Sequence, residues 1–429
     1  MKYKIIERED GKVAIFNSSD KQISDWWDGI IADNLLSGKS KYYIVISKNL
    51  LDELFEKFFN KSLMNVRKAI FHISGKQISK WWADVSTEGL VSGQSEYYIA
   101  ERRDKKQAIF HVSGKQISEW WNRVGPVGLV DGQSEYYIVI RDDNKFAIFH
   151  VSGKQISEWW RWRKWAYLNI EGIDKGQGYR IYFEGLLKGQ SKYYIAERED
   201  EKMAIFDVSG NQISKWWNLI YPNGLVCGRS NYYVVKNENG KKAIFHISGK
   251  QVSDWWEDIK FPGLIEGESD YYCVENEEGK LAIFYVLGKQ ISEWWDGISS
   301  LGLFQGKSDY YLAIRYELTE ILFDIFEPEN IEYAIFHVSG KRISNWWKEI
   351  FPHGLISGES DYYVAKNKNE KVAIFHVSGK RISDWWDEIF PYGLIKRESD
   401  FYLVRQNEKL IAFSIFGEKI YEKELYKKT

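Results

Sequence analysis

Histidine is the most regularly repeated side chain in this sequence that could bind a metal or titrate near neutral pH. Six of the seven histidines directly follow an Ala-Ile-Phe segment: His72, His111, His150, His246, His337 and His376. Stacked copies could align them into a column that binds a metal ion or titrates together. However, Asn17, Asp207 and Tyr285 occupy the same place in other copies, and stacked sheets lie about 10 Å apart, too far for shared ligation. We therefore expect no metal site and no cofactor.

Two short segments resemble the end of a phosphate-binding loop, Gly38-Lys39-Ser40 and Gly306-Lys307-Ser308. The first glycine of that motif is missing, because Asp33 and Leu301 stand in its place. The motifs Gly-x-Ser-x-Gly and His-Glu-x-x-His and paired Cys-x-x-Cys segments do not occur. Carboxylates recur with each copy, whereas an active site needs one unique constellation. We expect a protein that is not an enzyme.

One basic and aromatic cluster interrupts the pattern and contains Arg161, Trp162, Arg163, Lys164 and Trp165. Such a cluster could bind phosphates and stack on bases. The chain has 59 basic and 61 acidic residues, a net charge of −2, so no field across the whole molecule attracts nucleic acid. Nucleic-acid contact at this cluster is therefore the third of our functional hypotheses.

These residues belong to a tandem repeat, because residues 113–121 and 152–160 are identical and close variants recur along the chain. Repeats start at Tyr3, Tyr42, Tyr97, Tyr136, Tyr193, Tyr232, Tyr271, Tyr310, Tyr362 and Phe401. Six are 39 residues long, three carry insertions, and the last, residues 401–429, is a truncated unit that we expect to act as a C-terminal cap. A fixed period in this range predicts an array in which each copy packs on its neighbours.

Within one repeat, Tyr-Tyr and two apolar residues predict a strand, and turn residues followed by Ala-Ile-Phe-His-Val predict its hairpin partner. A second turn at Ser-Gly-Lys requires a positive φ at its glycine, and Lys-Gln-Ile then predicts a third strand. The Trp-Trp pair that follows could lie on a strand, but a serine two residues before each of the nine pairs resembles a helix N-cap. We therefore predict a short capped helix at Trp-Trp.

These elements predict an all-β protein of about ten tandem β-meander repeats, each with three strands and a short helical turn. Residues 1–429 form one continuous array. A repeat this small cannot bury its own apolar face, so the sheets must stack, as an open curved superhelix or alternatively as a closed β-propeller. Strict spacing favours the Trp-Trp pairs as core, although indoles between repeats could also stack on sugars.

The order of strand, Gly-Lys turn, strand and aromatic residue resembles the bacterial WG-repeat proteins, also called KWG repeats. Residues 145–154, Lys-Phe-Ala-Ile-Phe-His-Val-Ser-Gly-Lys, match that frame, but the Trp-Gly signature itself is replaced, with Ala147 at the glycine position. The resemblance covers nearly the whole chain. It implies an all-β repeat with an adaptor role and without catalytic residues.

Three insertions depart from the repeat: residues 50–68, 161–185 and 316–332. The first and third replace the same hairpin turn and show the apolar spacing of amphipathic helices. The candidate partner-binding residues on them are Leu51, Leu54, Phe55, Phe58 and Phe59, and Leu318, Leu322, Ile325 and Phe326. The helices could instead cover their own repeats. The second insertion contains the basic and aromatic cluster.

The sequence therefore predicts a non-enzymatic protein-binding scaffold or adaptor that uses the insertion helices and the variable turns. The alternatives are a carbohydrate-binding repeat lectin and nucleic-acid contact at residues 161–167. No apolar run approaches the roughly 18 residues that span a bilayer, and the N-terminal segment lacks the apolar part of a signal peptide. We expect no membrane partner and a cytoplasmic location.

Overall fold

The computed structural model describes residues 3–48, 66–161, 184–198, 200–260, 263–317, 329–406 and 408–424. The chain divides into two compact halves. The first comprises Met1–Trp216 with Val226–Gly228, and the second comprises Trp217–Leu225 with Arg229–Thr429. In the described residues both halves consist of antiparallel sheets, ten in total, of which six have three strands. The prediction of an all-β chain of tandem meander repeats is confirmed.

Each repeat begins with an opening strand that carries the Tyr-Tyr pair. The opening strands are Tyr3–Glu7, Tyr42–Ser47, Tyr97–Glu101, Tyr136–Ile140, Tyr193–Glu197, Tyr232–Lys236, Tyr271–Glu275, Tyr310–Glu317, Tyr362–Lys366 and Phe401–Gln406. Their β-branched and aromatic residues fit a pleated surface that is covered on both faces. The second tyrosine and the next two residues are buried in most copies.

A returning strand pairs with each opening strand, as predicted for the hairpin. The returning strands are Val13–Asn17, Arg67–His72, Gln107–His111, Lys145–His150, Met203–Asp207, Lys242–His246, Leu281–Tyr285, Glu329–His337, Val372–His376 and Lys409–Ser414. The register places the first tyrosine opposite the histidine and the second opposite the phenylalanine, as in Tyr97↔His111 and Tyr98↔Phe110. The large side chains therefore pair across the hairpin.

In eight of the ten sheets of the described residues, a further strand comes from the preceding repeat. It follows the Trp-Trp pair of that repeat and lies beside the next opening strand, as where Asp84–Ser86 pairs with Tyr97–Glu101. These short strands are Gly29–Ile31, Asp84–Ser86, Arg123–Val124, Leu219–Tyr221, Asp258–Lys260, Gly297–Ser299, Glu349–Phe351 and Glu388–Phe390. Each such sheet thus joins two consecutive repeats through its hydrogen bonds.

The predicted Trp-Trp helix is wrong, and the predicted Lys-Gln-Ile strand is present only as an isolated bridge to the returning strand. This segment runs beside the returning strand but touches it only at isolated bridges, such as Phe71↔Gln77 and Lys68↔Trp82. Two regular strands differ from this arrangement: Trp160–Arg161 pairs with Lys145–His150, and Lys419–Glu424 pairs with the last returning strand. The Trp-Trp segment is therefore an interrupted outer strand.

The serine before each Trp-Trp pair fills that interruption. In all nine repeats its Oγ accepts a hydrogen bond from the isoleucine amide of Ala-Ile-Phe at 2.8–2.9 Å. The same hydroxyl donates to the carbonyl of the following residue, for example Ser118 Oγ to Glu119 O at 2.9 Å. Because all nine serines are buried, the hydroxyl replaces a missing backbone partner. It is not a helix N-cap.

The helical turns lie instead at the Gly-Leu segments and, in the first repeat, at the equivalent Asn34-Leu35. They are Asp33–Leu36, Glu88–Ser92, Glu184–Leu187, Asn223–Val226, Leu301–Phe304, His353–Ile356 and Tyr392–Ile395. Each leads into the next opening strand, and all except Glu184–Leu187 follow one of the short strands. The second turn of the repeat is as predicted, because its eight Ser-Gly or Leu-Gly glycines have φ between +83° and +88°.

Within each half, consecutive repeats approach each other most closely at these helical turns. A Cβ added to Gly89 would lie 2.0 Å from the carbonyl oxygen of Val130, and one added to Gly302 would lie 1.8 Å from that of Ile356. A serine bonds across the same seam, as where Ser230 Oγ donates to Leu264 O at 2.8 Å. Glycine is therefore required for packing at these positions.

The hydrophobic core repeats with the sheets. One cluster contains Ile99, Val124, Val130, Tyr137 and Phe149, so it draws residues from two consecutive repeats. The second tyrosine of the pair is the largest side chain in it, and Tyr98 and Tyr137 are each 1% exposed. Burial raises the pKa of both hydroxyls to about 12. These tyrosines are structural.

Candidate functional site

Each sheet has two ends with different chemistry. At the first end, the turn between the opening and returning strands lies next to the Trp-Trp segment, as the Lys242↔Trp256 bridge shows. We call this end the hairpin edge. At the other end lie the Ser-Gly turn and the Gly-Leu helical turn, and we call this the glycine edge. The insertions at 50–68 and 316–332 leave and re-enter the described sheets at the hairpin edge.

The tryptophans form a ladder along the hairpin edge of each half. The second indole of one repeat lies against the first indole of the next. In the first half the pairs are Trp27–Trp81, Trp82–Trp120, Trp121–Trp159 and Trp160–Trp216, with centroids 5.4–6.1 Å apart. In the second half they are Trp217–Trp255, Trp256–Trp294, Trp295–Trp346 and Trp347–Trp385, at 5.4–5.7 Å. These distances are typical of favourable aromatic pairs.

The ladder is neither fully core nor fully surface. The described tryptophans are half-buried, and they pack against the buried clusters, as Trp256 and Trp294 do beside Phe284 and Tyr272. A phenylalanine of the returning strand contacts both indoles of a pair, for example Phe284 with Trp256 at 5.5 Å and with Trp294 at 6.3 Å. The first tryptophan of each Trp-Trp dipeptide after the first repeat, such as Trp294, thus packs on the preceding repeat on one side and lies toward its own hairpin turn on the other.

In the first half, an arginine from the turn covers the indole on this second side. The guanidinium carbon lies 4.9 Å from the Trp26 ring centroid for Arg8, and the other pairs are Arg102–Trp120 at 5.0 Å, Arg141–Trp159 at 4.3 Å and Arg198–Trp216 at 4.6 Å. A guanidinium within about 6 Å of an indole centroid is attracted by the ring quadrupole. Four repeats therefore supply their own cation to the ladder.

An aspartate two residues later holds each of these arginines. Arg141 Nε donates to Asp143 Oδ1 at 3.2 Å and Nη2 donates to Oδ2 at 2.5 Å, which is a bidentate pair. The hydrogen bond from Arg8 lowers the pKa of Asp10 to about 2, and those from Arg141 and Arg198 also lower the pKa of their aspartates. The unit Arg-x-Asp thus fixes the guanidinium over the indole.

In the second half, asparagine replaces this arginine in three turns. Asn276 Oδ1 accepts hydrogen bonds from the amides of Glu278 at 3.0 Å and Lys280 at 2.9 Å, and Asn237 Oδ1 accepts one from Lys241 at 3.0 Å. These side chains are folded into their own turns. In the described part of the chain no cation lies over Trp255 or Trp294, whereas Arg315 lies 4.1 Å from Trp346 and Arg381 lies 6.0 Å from Trp385.

The surroundings of these two uncovered indoles are acidic. Residues 232–309, the two repeats that carry these indoles and their turns, contain 13 Asp and Glu against 8 Lys and Arg, a net charge of −5. Glu278 stands at the position that Asp10 holds in the first repeat, and its side chain is exposed beside Asn276. Glu277 in the same turn pairs with Lys241 of the preceding repeat, which lowers the pKa of the carboxyl. The hairpin edge here combines open aromatic faces with negative charge.

The repeated histidines lie at the glycine edge and have local partners. His111 Nδ1 is 2.8 Å from Ser113 Oγ, its Nε2 is 3.0 Å from Glu96 Oε2, and its ring contacts Tyr97 at 5.2 Å. Across the described ranges, no group of three or more His, Cys, Asp or Glu side chains is placed to hold a metal ion. The histidines therefore act as pairing partners of the first tyrosine.

The partner-binding residues predicted from the insertions are not described, with one exception. Arg161 belongs to the strand Trp160–Arg161 opposite Lys145. Leu51, Leu54, Phe55, Phe58, Phe59, Trp162, Arg163, Lys164, Trp165, Leu318, Leu322, Ile325 and Phe326 lie outside the described residues. The arginines over the indoles were not predicted, although the recurrence of Arg-x-Asp before four Trp-Trp segments is a signal that could have identified them.

Comparisons with known proteins show only distant similarity. No protein-family model matches the sequence, and no curated protein matches it. Among solved structures, similarity extends to a eukaryotic initiation factor (9% identity, 99% of this chain, 96% of that chain, TM-score 0.28). It also extends to the C-terminal WD40 domain of Sif2, with 7% identity over 80% of this chain and 90% of that chain and a TM-score of 0.21. The WD40 β-propeller domain of Doa1 is similar with 10% identity over 66% of this chain and 85% of that chain and a TM-score of 0.19. At these TM-scores the structures decide neither the arrangement of the sheets nor a function.

No helix in the described ranges combines the length and the apolar character needed to cross a bilayer.

Proposed function

We propose that the protein is a non-enzymatic, cofactor-free scaffold that binds another protein along its hairpin edge. The observation that carries the proposal is the ladder of half-buried tryptophans at that edge. Tryptophan, tyrosine and arginine dominate the binding energy of protein interfaces, and here indoles and guanidiniums recur at a spacing set by rigid sheets. Repeat arrays offer such extended surfaces to partners.

Sequence variation between the repeats supports the same edge. The glycine edge keeps its Gly-Leu and Ser-Gly segments in nearly every copy, whereas the hairpin turns differ in sequence and carry the insertions at 50–68 and 316–332. Turns held by a rigid scaffold are the usual place for binding residues. The predicted amphipathic segments would then extend the contact surface that the tryptophans begin.

Cross-linking with mass spectrometry tests the proposal, because lysines mark both edges. Lys106, Lys241 and Lys280 lie at the hairpin edge, and Lys115 and Lys250 follow the glycine-edge turns. Proteins captured from cells of the source organism should cross-link to the first group and spare the second. Replacing residues 50–68 and 316–332 by a four-residue turn should weaken capture, and His111→Gln at the glycine edge should not.

A carbohydrate lectin is the second candidate, because the open faces of Trp255 and Trp294 could also stack on a sugar ring. Binding to a glycan array without any captured protein would select it and overturn the scaffold. Cross-links confined to the glycine-edge lysines would also overturn the proposed surface.

A further inference from the structure

The turns over Trp255 and Trp294 lack a group that the equivalent turns of the first half contain. At Trp26, Trp120, Trp159 and Trp216 the face toward the turn is covered by an arginine of the same chain. At Trp255 and Trp294 the equivalent residues are Asn237 and Asn276, whose side chains bond to their own turns. The first half therefore shows that a guanidinium fits against the indole on the side of the turn, and the repeats of Trp255 and Trp294 do not supply one.

From this difference, and on the basis of the proposed scaffold function, we infer that Trp294 and Trp255 bind arginine side chains of a basic segment in the partner protein. Trp294 is the main site. Its half-buried indole contacts Phe284 and Trp256 in tilted geometry, with centroids 6.3 and 5.5 Å away. Among the described residues no cation lies over this indole, and the turn of its repeat carries Glu278. A guanidinium there would take the place that Arg8 takes over Trp26.

Glu278 supplies the second group of the proposed binding site, after the indole of Trp294. It stands at the sequence position of Asp10, which holds Arg8 in a bidentate pair. Its carboxylate is exposed, so a guanidinium that stacks on Trp294 can form the same type of fork with it. A lysine ammonium offers neither the planar stacking surface nor the bidentate geometry. The site is therefore expected to discriminate arginine from lysine.

Local charge favours a basic partner over a neutral ligand. The net charge of −5 in residues 232–309 contrasts with the first half, where 33 basic and 29 acidic residues give +4. An acidic surface attracts a basic segment before contact and disfavours acidic competitors. Sugars gain nothing from this field, which is why we choose a peptide as the occupant.

The spacing of the two indoles sets the pattern of the partner. Trp255 and Trp294 lie in consecutive repeats, and stacked sheets are separated by about 10 Å. A segment in the polyproline II conformation has three residues per turn and rises about 3.1 Å per residue, so every third side chain points to the same side at intervals of about 9 Å. An arginine at every third position of such a segment would thus reach both indoles in turn.

Fluorescence anisotropy with three labelled peptides tests the inference on the full-length protein. The probes are (Arg-Gly-Gly)4, (Lys-Gly-Gly)4 of equal charge, and neutral (Gln-Gly-Gly)4. We expect the arginine peptide to bind about 2- to 5-fold more tightly than the lysine peptide, as one or two cation–π contacts imply, and the glutamine peptide not to bind. Equal affinity for the arginine and lysine peptides would overturn the inference, since charge alone would explain it.

The deciding variant places an arginine of the protein itself over Trp294 and removes no buried side chain. Asn276→Arg with Glu278→Asp recreates the Arg-x-Asp turn of the first half, so its own arginine should cover Trp294 and lower the affinity for the arginine peptide about 5-fold. Asn367→Arg alone is the matched control, because it adds the same single positive charge in a repeat where Arg381 already lies 6.0 Å from the Trp385 centroid. This control should bind like the wild-type protein. Unchanged binding in the Asn276 variant would contradict the site.

Competition separates this inference from the alternatives. A linear glucan tetrasaccharide should not displace the arginine peptide, and displacement would assign Trp294 to sugars instead. If the arginine peptide fails to bind while captured proteins still cross-link to hairpin-edge lysines, the scaffold stands and only the arginine inference is lost. If both fail, the proposed function is lost with it.

Discussion

The two halves stabilise the same hairpin turn with different residues, and this choice decides whether an arginine covers the neighbouring tryptophan. In the first half, the amide of Lys12 donates to Asp10 Oδ1 at 3.2 Å, and this aspartate also holds Arg8 over Trp26. In the second half, the amide of Lys280 donates to Asn276 Oδ1 at 2.9 Å. Either residue satisfies the turn, so the arginine is not needed for folding. The position can therefore differ between repeats according to what each repeat binds.

The glycine edge shows no such difference between the halves. Gly89 in the first half and Gly302 in the second each lie against the carbonyl of the next repeat, and a Cβ would come within 2.0 and 1.8 Å of it. Packing requires the same residue in both halves here. The comparison thus separates positions that hold the array together from positions that can diverge.

The largest effect should come from adding a side chain at the glycines where consecutive repeats meet. Gly89→Ala and Gly302→Ala place a methyl group against a backbone carbonyl that cannot move aside, and each should cost about 3 kcal/mol of unfolding free energy. Urea unfolding measures the loss. Gly125→Ala is the matched control, because its Cβ would meet nothing closer than Ile138 Cβ at 3.7 Å. Sensitivity in only one half would show that the two seams are not equivalent.

The buried serine should give the next largest effect, again equal in both halves. Ser118→Ala and Ser253→Ala leave the amides of Ile109 and Ile244 without their hydrogen-bond acceptor. A buried unsatisfied amide costs about 2 kcal/mol. Thermal unfolding reports the loss, and Ser113→Ala in an exposed turn should change stability little. A helix N-cap role would instead reduce helicity in the circular dichroism spectrum, which this structure does not predict.

This serine also shows where reasoning from the sequence reaches its limit. Serine followed by an acidic residue and Trp-Trp matches a capped helix as well as it matches an interrupted strand, because local sequence does not record what lies beside it. The true partner of Ser118 is the amide of Ile109, nine residues earlier. The hairpin and the Ser-Gly turn were predicted correctly because their cues, such as a glycine with positive φ at Gly114, are local.

The elements that join one repeat to the next were the ones missed. Asp84–Ser86 forms its strand only because the next opening strand is adjacent, and Glu88–Ser92 forms a helical turn at a segment for which no element was predicted. The tryptophans were predicted as core with a sugar-binding alternative. Their half-buried ladder lies between the two, since one face of Trp294 packs on Phe284 and the other faces a turn.

Chemical footprinting of the indoles directly tests the difference between the two hairpin edges. Trp294 and Trp255 should be oxidised by N-bromosuccinimide faster than Trp159 and Trp120, because Arg141 and Arg102 shield the latter. Arg141→Asn should raise the reactivity of Trp159 alone. Peptide mapping by mass spectrometry assigns the modified residues. Equal rates in the wild-type protein would mean that the arginines do not cover the indoles in solution.

The smallest effect concerns the response of the Arg-x-Asp turns to acid, and these turns occur only in the first half. The hydrogen bond from Arg8 lowers the pKa of Asp10 from 3.8 to about 2, so the charged pair is favoured in the folded protein. Its contribution is complete above pH 3.8 and is lost as the pH falls through about 2, because protonated Asp10 no longer accepts the fork. Carboxyl NMR should therefore place the titration of Asp10 near pH 2. In Arg8→Asn it should return toward its ordinary value, and an unchanged titration would show that the guanidinium is held by Trp26 alone.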